Sequence, residues 1–149
     1  MNLTQKSGES DKLSRKIPLV IEGATPALGQ ASQAIKFGDY VIISGQLPIA
    51  PDTNKIVGND IESQTEACIK SLEVITDFIG GALSNVLKVT IFVTAFEDLP
   101  AMEKVYKTYF QYQPPARTIV GVSKLPMNAR IQIDAMIYAP QREKSNPAF

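Results

Sequence analysis

Six residues, Ile61, Thr65, Cys68, Leu72, Ile75 and Ile79, recur in alternating steps of four and three. That spacing gathers them on one stripe of an α-helix, because a turn holds about 3.6 residues. No other regular period in the chain is as long, and it constrains the fold directly: a helix with one apolar stripe persists in water when that stripe packs against other elements. Its ends are marked too. Asn59 or Asp60 can accept hydrogen bonds from the free first-turn amides, Glu62 sits near those amides, and Gly80-Gly81 offers the left-handed residue that stops a helix. Cys68 falls on the stripe and reads as a buried thiol acting as a small hydrophobe, not as a nucleophile.

The segments around this helix read mostly as strands. A short apolar run at 17–21 is followed by turn residues Gly23, Pro26 and Gly29. Residues 33–37 and 40–44, joined by Gly38-Asp39, form a hairpin candidate. Residues 47–59 carry Pro48, Pro51, Asp52, Asn54 and Gly58, which is turn chemistry with little period. Residues 86–94 alternate, with Val89, Ile91 and Val93 on one face. A second helix is predicted from about 99 to 111, with Pro100 in its first turn and Leu99, Met102, Tyr106 and Tyr109 on one stripe. Strands at 118–122 and 130–138 follow. In the last, Ile131, Ile133, Ala135 and Ile137 share one face, and Arg130, Gln132, Asp134 and Met136 the other. The order β-β-β-α-β-α-β-β predicts an α+β sandwich in which both helices cover one face of a sheet. The other face mixes polar and apolar residues and is left for a subunit interface lined by functional groups.

At 149 residues the chain has room for one core without staples. The expected organisation is a flexible arm over 1–16, a single domain over 17–140 and a tail over 141–149. One cysteine and no histidine exclude a disulfide scaffold, His-ligated metals and Ser-His or Cys-His nucleophile systems. Chemistry must then rest on carboxylates, arginine, hydroxyls, backbone groups and water. The formal net charge is zero, with +2 in the first sixteen residues, +1 in the tail and therefore −3 in the body. An acidic body argues against a nucleic-acid partner. No apolar run spans a membrane and the polar start contains no secretory signal, so the expectation is a cytoplasmic protein without a membrane partner.

No Gly-rich phosphate loop and no paired acidic cluster appears. Three short stretches carry more: Ser44-Gly45-Gln46 at a strand end, Pro115-Ala116-Arg117 before a strand, and Leu125-Pro126 leading into the last. In this order, with Gly29, Gln33, Pro48, the helix ending in glycine, Tyr106 and Tyr109-Phe110, the chain closely resembles the Rid family over about residues 17–140. These YjgF-like reactive-intermediate deaminases are also known as the endoribonuclease L-PSP or translation initiation inhibitor family. The resemblance implies a chorismate-mutase-like (YjgF-like) α+β subunit, a homotrimer with clefts between neighbours, and hydrolysis of small 2-imino and enamine acids to 2-keto acids and ammonia. It implies neither metal nor cofactor.

Carried over residue by residue, the resemblance makes Arg117 the anchor of the substrate carboxylate, helped by the backbone amide of Ile119. A planar guanidinium suits that task because it offers two parallel donors. Ser44 and Gly45 correspond to cleft residues facing the substrate nitrogen. The departures are equally specific. Where many members carry a tyrosine that closes the cleft, this chain has Ala31. A helical asparagine becomes Glu103, which brings a negative charge to the cleft mouth, and the water-positioning glutamate of the last strand becomes Gln132. Glutamine can orient a water but cannot take its proton. Asp134, two residues on and on the same face, has two readings: a stand-in for the missing base, a role Glu103 could also take, or, the favoured one, a partner for Arg130 or for a neighbouring subunit's lysine. The alternative to a diverged deaminase is a trimer that binds a 2-keto acid without turning it over.

Overall fold

A computed structural model describes residues 15–140, so most of the expected arm and all of the tail lie outside the described residues. Six strands form one sheet in the order β1-β2-β3-β8-β6-β7: β1 (Ile17–Leu19), β2 (Ala34–Phe37), β3 (Tyr40–Gln46), β6 (Val86–Val93), β7 (Ala116–Gly121) and β8 (Ile131–Tyr138). All neighbours are antiparallel except β6 and β7, which are parallel and joined through helix α2 (Leu99–Tyr109), as a crossover between parallel strands requires. The other helix, α1 (Ile61–Phe78), packs on β8, β3 and α2.

The helical stripe lands as predicted. Ile61, Thr65, Cys68, Leu72 and Ile75 are buried, Asp60 caps the start by accepting from the Ser63 amide at 2.8 Å, and Gly80 ends the helix at φ +77°. Burial pushes the Cys68 thiol up, away from the reactive thiolate. Facing the helices are Val41 and Ile43 of β3, Val89, Ile91 and Val93 of β6, and the alternate residues Ile131, Ile133, Ala135 and Ile137 of β8. Among the described residues, no helix covers the opposite face. There Tyr40, Ile42, Met136 and Tyr138 are exposed, with the Tyr40 and Tyr138 rings edge to face at 6.1 Å.

Several boundaries differ from expectation, β1 stopping at Leu19 and not at 21 and β3 running on to Gln46 and not ending at 44 among them. Residues 47–59 contain a small hairpin, β4 (Ile49–Ala50) with β5 (Lys55–Ile56), too short for periodicity to register. Strand β7 begins at Ala116 and not at 118, since Pro114-Pro115 keep the chain extended and the ladder can start directly behind them. Helix α2 stops at Tyr109, two residues short of the expected end. No helix among the described residues is long and apolar enough to cross a membrane.

Candidate functional site

The candidate residues fall into two groups on opposite faces of the sheet. The first is at the free edge, on β7. Arg117 pairs in register with Val89, whose side chain is fully buried beneath the helices, so Arg117 also points to the helix side. Its guanidinium lies 4.7 Å from the centre of the Tyr106 ring and donates from Nη1 to Glu103 Oε2 at 2.7 Å, both partners coming from α2. Tyr106 stacks in turn on Phe110, at 4.6 Å. The Tyr106 hydroxyl is buried and has no hydrogen-bond partner among the described residues. Burial pushes its pKa up, while the positive charge of Arg117 works against that shift. A depression of about 250 Å³ opens here, lined by Glu103, Tyr106, Lys107, Pro115 and Arg117 among others. The Val122 amide donates inward to Val93 O, so strand alternation turns the Ile119 amide outward along the free edge, on the same strand as Arg117.

The second group is on the open face, where β3 bulges. Ile43 pairs with Ala135 and Gln46 with Ile133, leaving both Ser44 and Gly45 opposite Asp134. The bulge is held by Gln46, a fully buried amide. Its Oε1 accepts from Ser71 Oγ at 2.6 Å and the Thr25 amide at 3.1 Å, and its Nε2 donates to Ser44 O at 2.8 Å. Gln33 fastens the preceding loop by bonding both ways with the Ile21 backbone and donating to Thr25 O. The Ser44 hydroxyl spends its proton on Ser32 O at 2.6 Å, which leaves its oxygen free to accept from a ligand N–H. Beside it lies a depression of about 450 Å³ lined by Lys16, Ala31, Ser32, Ile42 and Ser44.

Gln132 joins this second group through Gly45. A β-carbon built on Gly45 would stand 1.7 Å from Gln132 Nε2 and 2.6 Å from its Cδ, so the Gln132 side chain lies across the space that only glycine leaves open. Gly45→Ala should therefore drive Gln132 out of its position. We expect little loss of thermal stability, because the atoms in the way belong to a flexible, half-buried side chain that can swing aside and not to backbone or core. A crystal structure of the variant should show Gln132 in a new rotamer; an unmoved Gln132 would contradict this packing.

Each candidate now has a place. Ser44, Gly45 and Gln132 are brought together on the open face, and Arg117, Glu103 and the Ile119 amide at the edge of the sheet, but the two groups do not meet within one subunit. The register turns Arg117 and Gln132 to opposite faces of the sheet. The expected pairing of Asp134 with Arg130 is corrected. Arg130 instead grips Asp98 through two hydrogen bonds, at 2.6 and 3.1 Å, and donates to Asn59 O at 2.8 Å, tying β8 to the starts of both helices. Asp134 is half-buried on the open face. Three contributors escaped sequence reasoning: Gln46 as the bulge's internal clamp, the Glu103–Arg117 pair, and the Tyr106 ring beneath Arg117. The pair had a signal in a glutamate three residues before a tyrosine that shares the helix stripe.

A family model described as Endoribonuclease L-PSP matches residues 22–139. The chain belongs to the Rid family. A RutC family protein of Pyrococcus abyssi is 39% identical over 117 residues, covering 78% of this chain and 92% of that protein. The 2-iminobutanoate/2-iminopropanoate deaminase of Dermatophagoides farinae is 36% identical over 114 residues, covering 76% and 89%. Among solved structures, a Rid-family protein of Yersinia pestis superposes with a TM-score of 0.79 at 35% identity, covering 83% of this chain and 99% of that one. The two-helix, mixed-sheet architecture is thus that of the Rid fold.

Proposed function

We propose that this Rid-family chain assembles as a homotrimer whose clefts hydrolyse small 2-imino and enamine acids to 2-keto acids and ammonia. The observation that carries this reading is the Arg117 guanidinium, fixed at the sheet edge over Tyr106 and already holding a carboxylate at 2.7 Å. A group so placed can hold a substrate carboxylate together with the outward Ile119 amide. Because Arg117 and Gln132 face away from each other in one subunit, a ligand of three or four carbons reaches both only where one subunit's β7 edge meets a neighbour's open face.

In such a cleft the neighbour's Ser44 oxygen accepts from the substrate N–H, and its Gln132 amide orients the water that attacks the imine carbon. The attack makes a carbon–oxygen bond and places the π electrons on nitrogen. Proton transfer and loss of ammonia then leave the 2-keto acid. An imine is reactive enough for orientation to help without a strong base, and no histidine or metal ligand is required of the chain.

A second reading rests on Gln132 itself, which cannot accept the water's proton: the trimer would bind a 2-keto acid without turnover. Light scattering at micromolar concentration should give three times the 16.2 kDa mass of the chain. A monomer mass would rule out a cleft built from two subunits. A crystal structure with pyruvate should show its carboxylate on Arg117 in either reading.

A further inference from the structure

We infer that Glu103 sets the charge type of the ligand: the cleft prefers small zwitterions, protonated 2-imino acids and by the same chemistry 2-amino acids, over 2-keto acids of the same skeleton. This rests on the reading of Arg117 as the carboxylate anchor and extends it. In the free subunit Arg117 is not an open anchor. Its Nη1 is taken by Glu103 Oε2 at 2.7 Å, and both side chains are partly exposed, at 28% and 44%, so ligand can reach the pair. An incoming carboxylate either displaces Glu103 or shares the guanidinium with it.

The charges of the depression decide between those outcomes. Among the described residues that line it, Arg117 and Lys107 supply two positive charges and Glu103 the only negative one. A bound monocarboxylate with a neutral keto oxygen takes Arg117 from Glu103 and sets a second anion beside it, with Lys107, which makes no ion pair with Glu103 in the free subunit, as the one further cation among the described lining residues. A ligand whose nitrogen is cationic, and only one carbon away from its carboxylate, instead offers Glu103 a new partner as it takes up Arg117. Glu103 then opposes the keto acid and favours the iminium, which also weakens binding of the product relative to the substrate.

Calorimetry with pyruvate and L-alanine, which share one carbon skeleton, separates the possibilities in the wild type, Glu103→Gln and Arg117→Ala. The wild type should bind L-alanine more tightly than pyruvate. Glu103→Gln should bind pyruvate about three- to fivefold more tightly than the wild type and lose its preference for L-alanine, the upper part of the range expected for a partly exposed ion pair. Pyruvate affinity within twofold of the wild type in Glu103→Gln, with binding lost in Arg117→Ala, would overturn the inference and leave the anchor standing. Unchanged binding in Arg117→Ala, or no binding of either ligand to any of the three proteins, would remove the anchor and the inference with it.

Discussion

Replacing Gln132 by glutamate should raise imine hydrolysis about a hundredfold. The side chain already lies across Gly45 at the bulge, so a glutamate of the same length places a carboxylate where the amide now stands. A carboxylate can take the proton from water as it attacks, and a positioned base typically contributes about 10²–10⁴-fold. The low end is expected because Ala31 leaves the depression near Ser44 open to solvent. The gain should depend on pH with a definite sign. The new base works only when ionised, so the advantage should grow as pH rises through its pKa and vanish below it. Asp134, two residues along on the same face, raises that pKa by like-charge repulsion and moves the gain to higher pH. Rates of 2-keto acid formation by wild type, Gln132→Glu and Gln132→Ala across pH test this. A wild type already as fast as Gln132→Glu would show that the water is activated by another group or by the substrate.

Arg117→Ala should weaken pyruvate binding by about ten- to a hundredfold, since a charge-assisted hydrogen-bonded pair contributes about 1.5–3 kcal/mol. The fold should survive. Arg117 is on the edge strand, and its ion pair with Glu103 is exposed enough that its contribution to stability is small. The substitution also removes the positive charge that opposes the effect of burial on Tyr106, so that phenol should titrate at still higher pH. An ultraviolet titration showing this shift beside an unchanged melting temperature would establish that the variant is folded and locally altered. Unchanged pyruvate affinity in that folded variant would refute the assignment.

The parts of the fold legible in the sequence were those with a long period or a strong end signal. Helix α1 carried five steps of its stripe together with Asp60 and Gly80, and β8 alternated through its whole length, so their buried faces followed directly. The β4–β5 hairpin was not legible, because two-residue strands leave no alternation to read. At the site, Ser44, Gly45, Arg117 and Gln132 were found through their resemblance to a family pattern, which gives positions and not directions. The direction of Arg117 depends on its register with Val89, a long-range pairing that no local spacing encodes. The bulge at Ser44-Gly45 likewise depends on Gln46 reaching Thr25 and Ser71, residues distant in the chain and adjacent only once α1 has packed.

The most direct test follows 2-keto acid release from 2-aminoacrylate generated in place by a pyridoxal-phosphate enzyme, with and without this protein. The wild type should accelerate release above the uncatalysed rate, and Arg117→Ala should return it to that rate. Release no faster with the wild type than with buffer, while pyruvate still binds in an Arg117-dependent way, would contradict catalysis and leave a carboxylate-binding trimer.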